Sequence, residues 1–308
     1  MRNAQWTMRK AALGSLRILR SAFCIVHSHS AFSVSVIIPT FNRAGLLRET
    51  LASVCAQTAA PFEILVIDDG STDETAAMLA REFPPVTVHR IAHAGQGAAR
   101  NVGIAHARGD AIAFLDSDDV WDARFVECMR AALDASPRAG FAYCDYALFD
   151  GARTLRENNV LPEHQLRGDV FPKLLETNFL CTGALLIRRE CFARVGGFDP
   201  TLPPVEDWDL WLRLARRYPA EYVAASLVRI RVNALHASRN PQIIYARNLQ
   251  LLDKLRREFP DDARRFRTLL RRHTQNFHWA LATSFRVQGQ RLRALKHYAH
   301  FVGAHFFP

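Results

Sequence analysis

The sequence lacks the cysteine patterns of a zinc protein or a disulfide scaffold. Its six cysteines include no C-x-x-C pair and are spread along the chain, at Cys24, Cys55, Cys128, Cys144, Cys181 and Cys191. No spacing among them is typical of a zinc site. This distribution predicts buried, reduced thiols in a cytosolic protein.

The chain also lacks a signal-peptide core and an uninterrupted apolar run that could span a membrane. Arg17 and Arg20 break the apolar segment that follows the basic start, which argues against a signal peptide. The uncharged stretch between Arg20 and Arg43 is interrupted by His27 and its polar neighbours, and Pro39 closes it. We therefore predict no membrane-spanning helix.

Acidic residues are the minority charge, with 30 Asp and Glu against 40 Lys and Arg and a formal net charge of +10. The basic excess lies toward the two ends and favours anionic partners such as nucleotide phosphates or acidic lipid headgroups. Aromatic residues are not interleaved with Lys and Arg as in RNA-binding motifs. No nucleic-acid partner is expected.

What the sequence does contain, from Ser33 onward, is an alternation of strand and helix. "SVSVIIPTFNR" predicts a strand over 34–38, a stop at Pro39 and a helix capped by Asn42. "FEILVIDDGSTDETAAMLAREF" repeats the plan, and further strands are predicted over 86–90 and 111–115. Because the strands are continuously apolar, we predict an α/β fold with a mainly parallel central sheet flanked by helices. Ligands of such sheets bind beyond the carboxyl ends of the strands.

Three segments are predicted along the chain. Residues 1–32 form a basic amino-terminal segment, helical or disordered, residues 33–240 the α/β domain, and residues 241–308 a basic helical extension. In the last helix, apolar residues share one face: Leu292, Leu295, Ala299, Val302 and Phe306. The favoured interpretation is a helix packed on its own domain with a solvated basic face. The alternative is an amphipathic helix on an anionic membrane.

Three carboxylates follow the fourth predicted strand in "AIAFLDSDDVW". Asp116, Asp118 and Asp119 would repel one another unless something positive lies beside them. An EF-hand is excluded because Val120 and Trp121 stand where that loop needs a ligand and a glycine. A helix cap would need one acid rather than three. The pattern favours Mg²⁺ or Mn²⁺, held by one or two carboxylates and completed by water and substrate phosphates.

Several ordered motifs together resemble a family 2 glycosyltransferase, an inverting enzyme with the GT-A fold. The resemblance covers residues 33–231 and rests on "VSVIIPTFNR", "ILVIDDGSTDET", "GQGAARNVG", "AFLDSDDVW", "GFDP" and "EDWDLWLRLA". A series in this order is far more specific than any single motif. It implies transfer of a sugar from a nucleoside-diphosphate sugar, most simply a UDP-sugar, to a hydroxyl of a glycan or lipid-linked glycan. Such a reaction belongs to polysaccharide or cell-envelope synthesis.

The resemblance also implies roles for the donor side of the site. Asp118 is the direct metal ligand of a D-x-D motif, and Asp116 a second ligand turned toward the donor ribose and sugar. Asp69 bonds the nucleotide base. Arg100 reaches the phosphates or braces the aspartates, unless it forms an ordinary salt bridge on the helix surface. The nucleotide-facing strand end comprises Pro39, Thr40 and Phe41.

On the acceptor side, Asp207 matches the catalytic base of the family, and Glu206 orients the site or the acceptor. The acceptor hydroxyl must lose a proton as it attacks, and a positioned carboxylate can take that proton. Favourable charge at a helix start is the alternative explanation for both acids, and the two explanations are compatible. Acceptor contacts are expected from residues 158–183 and the helical tail.

The sequence departs from the family at one histidine. Asn233 stands where members carry a His after the base, and His236 follows three residues later as a candidate metal ligand or a plain surface residue. The Q-x-x-R-W signature of processive members is absent after Asp207. A single-addition enzyme is therefore favoured.

Two other functions fit parts of the sequence. A nucleotidyltransferase would also use aspartates and a metal, but the chain lacks the Gly-rich basic loop that cradles a triphosphate. A non-catalytic protein that binds anionic surfaces would explain the positive charge, but not two intact acidic motifs. A cytoplasmic location is expected, with peripheral attachment to the inner membrane as a further hypothesis.

Overall fold

A computed structural model describes residues 32–232 and 241–306. The strands are β1 (Val34–Thr40), β2 (Glu63–Asp68), β3 (Thr87–Arg90), β4 (Ala111–Phe114), β5 (Val120–Trp121), β6 (Phe141–Phe149), β7 (Thr154–Arg156), β8 (Leu185–Arg188) and β9 (Ala220–Arg231). The helices are α1 (Ala44–Cys55), α2 (Thr75–Glu82), α3 (Gln96–His106), α4 (Phe125–Ala135), α5 (Phe171–Glu176), α6 (Arg189–Val195), α7 (Glu206–Ala215), α8 (Pro241–Glu258), α9 (Ala263–Val287) and α10 (Arg291–Phe306). The predicted amino-terminal segment and the boundary at residue 240 fall almost wholly outside the described residues and stay predictions.

The strands form one sheet in the order β3-β2-β1-β4-β8-β6-β9-β5, with β7 paired to β6. Strands β3, β2, β1 and β4 run parallel. Beyond β4 the sheet is mixed, because β8 is antiparallel to both β4 and β6 while β9 is parallel to β6. The predicted α/β class is confirmed. Because β1, β2 and β4 run parallel, the loops that follow these three strands leave the sheet on the same side.

The continuous apolar sequence of the central strands reflects cores on both faces of the sheet. Ile37 and Phe114 belong to one core, together with Trp211 of α7. Val36 belongs to the other, together with Leu47 of α1. Each of these side chains is fully buried. Because both faces of these strands are buried, apolar and polar residues do not alternate along them.

Pro39 does not stop β1, contrary to the sequence prediction. The strand continues to Thr40, and Pro39 pairs with Ile67 of β2. Along β1, Ile37 accepts a hydrogen bond from Leu115 on the β4 side, whereas Thr40 accepts one from Asp69 on the β2 side. Pro39 therefore faces the β4 side, where β4 has already ended, and its missing N–H breaks no pairing.

Asn42 does not cap α1 either. It has a positive φ of 51°, and its side-chain oxygen accepts hydrogen bonds from the N–H groups of Thr72 and Asp73. The first helical N–H, that of Ala44, is instead bonded by the Asp73 carboxylate at 3.3 Å. Asn42 thus connects the loop after β1 to the loop after β2. The loop after β2 also supplies Asp73, the carboxylate that caps α1.

The carboxyl-terminal helices join the same core as α7. Leu251 and Leu255 of α8 and Phe266 of α9 are buried in it. Lys254 of α8 also places its ammonium group 2.9 Å from carboxylate oxygens of both Asp209 and Asp199. The extension is therefore anchored beside the helix that carries the predicted catalytic acids.

The helix α10 packs against α9 of the same chain, but not through the face that the sequence predicted. Among the side chains of α10 that the structure describes, Ala294 is the buried one. Tyr298 contacts Trp279 of α9 through their rings. Leu292 and Leu295, on the face expected to pack inward, are 85% and 61% exposed. The small Ala294 allows close approach of α9, and Leu292 and Leu295 are left facing solvent.

Two further predictions concern the whole chain. The cysteines among the described residues are free, as expected, but Cys55 is exposed and Cys128 only partly buried, so the expectation that all are buried is wrong. Within the described part of the chain, no helix is both long and apolar enough to cross a bilayer.

Candidate active site

The ends of β1 and β4 lie side by side, since Ile37 is in register with Phe114. This pairing brings the chain after β1 next to the acidic run after β4. Asp118 and Asp119 are buried, at 4% and 5% exposure, while the Asp116 side chain is 29% exposed. Carboxylates buried to this degree need compensating partners.

Three arginines, each from a different part of the chain, supply those partners. Arg43, after β1, contacts the Asp118 carboxylate at 2.8 Å. Arg100 of α3 donates to Asp116 at 2.6 Å. Arg231, at the end of β9, donates its backbone N–H to the Asp119 carboxylate and its Nε to the carbonyl of Asp118. Within the described residues, arginine side chains thus supply the positive charge beside these three aspartates.

Asp119 differs from its two neighbours in its surroundings. Burial, followed by the negative charges of Asp116 and Asp118, raises the pKa of Asp119 well above its usual range. Its backbone carbonyl accepts a hydrogen bond from Thr50. Asp119 therefore connects its loop to α1 and β9, whereas the partly exposed Asp116 is the most accessible of the three acids.

Arg100 lies in the interior rather than on the helix surface, with 3% exposure. Besides Asp116, its guanidinium lies 3.8 Å from the Glu206 carboxylate. Burial, the largest single effect, lowers the pKa of Arg100, but the charge and hydrogen bond of Asp116 together with the charges of Glu206 and Asp207 outweigh it and raise the pKa. One buried cation thus joins the acidic run after β4 to the two acids at the start of α7. Its Nε and the Glu206 Oε2 have no hydrogen-bond partner among the described residues.

Glu206 and Asp207 begin α7, where the helix dipole favours negative charge. Burial, with Glu206 adding a like charge, raises the pKa of Asp207 to about 6. Burial also raises the pKa of Glu206. Asn178 donates a long hydrogen bond of 3.4 Å to Asp207. A carboxylate with a pKa near 6 is ionised at neutral pH yet basic enough to accept a proton.

The residues present could hold a hard divalent cation only together with other ligands, such as water or phosphate oxygens of a substrate. Among the described residues no group of three or more His, Cys, Asp or Glu side chains is arranged to hold a metal ion. Asp116 and Asp118 offer carboxylate oxygens, and Asp116 Oδ2 has no partner in the described part of the chain. Mg²⁺ typically takes one or two carboxylates and completes its shell with water and substrate phosphates. The two aspartates suit that arrangement.

The predicted nucleotide-facing residues lie together at the neighbouring strand ends. Thr40 is buried, and its hydroxyl has no hydrogen-bond partner among the described residues. Phe41 is 38% exposed and stacks on the ring of His93, with centroids 4.1 Å apart. The Asp69 carboxylate accepts hydrogen bonds from the N–H groups of Ala94 and Gly95 and lies 2.9 Å from His93 Nδ1. Asp69 thus shapes the loop before α3, and the base contact expected of it is untested.

Asn233 and His236 lie outside the described residues. Sequence reasoning missed Arg43, His93 and Arg231, and it covered Asn178 only as part of the acceptor range 158–183. Arg43 directly follows "PTFN", so its position after a strand end was a usable signal. His93 and Arg231 reach the site only through loop and sheet pairing, which no local pattern reveals.

Residues 35–196, just over half of the chain, match the family described as Glycosyl transferase family 2. An uncharacterised glycosyltransferase of Rickettsia felis is 30% identical over 67% of this chain and 35% of its own length. One of Rickettsia prowazekii is 30% identical over 65% of this chain and 64% of its own length. The chain thus spans between about a third and two thirds of these relatives.

Two solved structures share the fold. TarS of S. aureus (residues 1–349, in complex with UDP-GlcNAc) aligns with a TM-score of 0.65 and 17% identity, over 88% of this chain and 81% of that one. The mannosyltransferase PcManGT of Pyrobaculum calidifontis, in complex with GDP-Man and Mn²⁺, aligns with a TM-score of 0.60 and 21% identity, over 88% and 75% of the two chains. Both are GT-A glycosyltransferases, so the predicted fold is confirmed.

Proposed function

This chain belongs to glycosyl transferase family 2, and from that membership we propose that it is a metal-dependent inverting transferase acting on a nucleoside-diphosphate sugar. The donor we propose is UDP-linked, and the acceptor is a hydroxyl of a glycan or lipid-linked glycan. The observation that carries this proposal is the buried Arg100, which contacts Asp116 on one side and Glu206 on the other. One buried cation thus links the proposed metal-binding acids on the leaving-group side to the acids at the start of α7 on the acceptor side.

Asp207 is the general base in this proposal. Displacing a nucleoside diphosphate from the anomeric carbon requires the acceptor hydroxyl to give up its proton during attack. With its pKa raised to about 6, Asp207 accepts that proton at neutral pH. Glu206, held by Arg100, keeps the start of α7 in place and remains uninvolved in the proton transfer.

The donor side uses Asp118 and Asp116 to hold Mn²⁺ or Mg²⁺. When bound, the ion would offset charge that grows on the departing diphosphate. Arg43 is positioned to add a second positive charge there, because it lies on Asp118 and is 36% exposed. Pro39, Thr40 and Phe41 form the wall for the nucleotide. The complexes of TarS with UDP-GlcNAc and of PcManGT with GDP-Man and Mn²⁺ support a diphosphate-sugar donor and a metal.

The deciding experiment measures release of nucleoside diphosphate from a panel of UDP- and GDP-sugars with Mn²⁺, Mg²⁺ or EDTA. Metal-dependent release from one donor is expected, and Asp118→Asn should abolish it. Asp134→Asn, an exposed aspartate of α4, serves as the matched control and should behave as the native chain. Donor turnover that is unaffected by EDTA and by Asp118→Asn would contradict the proposed metal role. Circular dichroism of each variant checks that it is folded.

A further inference from the structure

A cavity of about 320 Å³ opens beside Asp207. Its walls come from the segment after α5, the start of α7 and two helices of the carboxyl-terminal extension, and they include Glu176, Asp207, Asn248, Arg272 and Asn276. This volume lies at the lower end of the roughly 300–1,000 Å³ typical of small-ligand pockets. It suits one sugar unit better than a longer chain.

The helical walls of this cavity lie outside the region that the family shares. The family match ends at residue 196, whereas Asn248 belongs to α8, and Arg272 and Asn276 to α9. Arg272 and Asn276 are four residues apart and therefore lie on the same face of their helix. Of the cavity walls, only the segment after α5 lies within the matched residues, whereas the start of α7 and both helices of the extension lie beyond them.

The charges in the cavity are uneven. Among its described lining residues, Arg272 carries the one positive charge. Glu176, one of the two acids in the lining, already has the ammonium group of Lys173 3.2 Å away. The other acid is Asp207. Arg272 is exposed and has no ion-pair partner within the described residues. A guanidinium in this situation is available to an oxyanion, which it can hold through two parallel hydrogen bonds.

We propose that this cavity is the acceptor subsite and that it selects an acceptor carrying a phosphate or carboxylate group, which binds Arg272. Asn276 and Asn248 supply neutral hydrogen-bonding groups for the sugar hydroxyls, and the oxyanion at Arg272 holds a hydroxyl toward Asp207. The inference rests on the proposed function, because only a transferase needs an acceptor there. It names the acceptor class, which the family membership leaves open.

The test is a binding titration with three probes: glucose, glucose 6-phosphate and glucuronate. The native chain should bind at least one anionic probe about tenfold or more tightly than glucose, as expected for a hydrogen bond to a charged group. Arg272→Gln should remove this preference, and Arg272→Lys should retain part of it. Arg267→Gln is the matched control, since Arg267 is an exposed arginine of the same helix that lines a different cavity.

The two anionic probes separate phosphate from carboxylate recognition. Equal affinity of the native chain for all three probes would overturn the inference, and so would an equal loss in Arg267→Gln and Arg272→Gln. Donor turnover is measured on the same samples and should be unchanged in Arg267→Gln. Absence of donor turnover in the native chain would count against the proposed transferase, whereas the charge preference reports on the cavity alone.

Discussion

At the scale of single residues, Arg100 holds the site together. It is buried and contacts acids from two distant motifs. Removing one partner of a buried ion pair leaves an uncompensated charge and typically costs about 3–5 kcal/mol. The partial exposure of Asp116 lowers the expected figure, because water can solvate the carboxylate that is left behind.

We expect Arg100→Met to lower the free energy of unfolding by about 2–4 kcal/mol, the buried-pair value reduced for solvent exposure. Urea denaturation followed by circular dichroism measures the change. The matched control is Arg124→Met, because Arg124 pairs with Asp122 and the two side chains are 63% and 28% exposed, and surface pairs contribute about 0–1 kcal/mol. Equal effects of the two substitutions would mean that Arg100 has no special structural role.

Asp207 gives a prediction on pH at the same scale. A general base works only when deprotonated, so kcat/KM should fall as pH drops through about 6, the raised pKa of Asp207. An ordinary aspartate would give a fall near pH 4. Asp207→Asn should lose transfer at every pH while nucleotide binding persists. An activity limb near pH 4 in the native enzyme, or full transfer by Asp207→Asn, would remove Asp207 from this role.

At the scale of elements, the carboxyl-terminal helices are attached where they can affect the site. Lys254 of α8 lies 2.9 Å from Asp209 of α7, which is fully buried and also accepts from Arg213. Asp209 is two residues beyond Asp207. The position of α8 is therefore coupled to the helix that presents the proposed base.

Lys254→Met should cost about 1.5–3 kcal/mol of stability, the usual range for hydrogen bonds to charged groups. It should also raise KM for the acceptor more than for the donor, since α8 lines the acceptor-side cavity. Urea denaturation and separate titrations of the two substrates provide the values. Lys296→Met, on the exposed part of α10, is the control. If stability and both KM values stay within error of the native chain, α8 is not anchored by Lys254.

At the scale of the whole molecule, positive charge and exposed apolar surface coincide on the last helix. Leu292 and Leu295 are exposed, and Arg291, Arg293 and Lys296 lie beside them in sequence. Apolar residues bordered by basic ones suit the interface of an anionic membrane. This favours the membrane interpretation of α10 over packing of that face on the chain's own domain.

We therefore expect the protein to sediment with vesicles that contain anionic phospholipid and to stay in solution with neutral vesicles. Leu292→Gln combined with Leu295→Gln should reduce the bound fraction several-fold. Leu155→Gln, on the exposed strand β7, is the control for loss of a surface leucine. Binding that is equal for neutral and anionic vesicles, or unchanged in the double variant, would refute this contact.

The sequence by itself determined the parts that depend on local pattern. Continuous apolar runs such as Ile37–Ile38 predicted strands buried on both faces, and the order of acidic motifs predicted the family. The positions of Asp116, Asp118 and Asp207 followed from those motifs, although their catalytic roles await the experiments above. These features are encoded over a few consecutive residues, where spacing alone constrains the structure.

Tertiary structure decided everything that depends on contacts between distant segments. Arg231 lies 112 positions from Asp119 along the chain, and nothing in its own neighbourhood indicates that contact. Pro39 can continue β1 because β4 has ended beside it. Asn42 does not cap α1 because its side-chain oxygen accepts hydrogen bonds from the loop after β2. Leu292 faces solvent because Ala294 offers α9 a closer approach. Sheet order, loop pairing and helix packing are set by the free energy of the whole chain, so local sequence could not fix them.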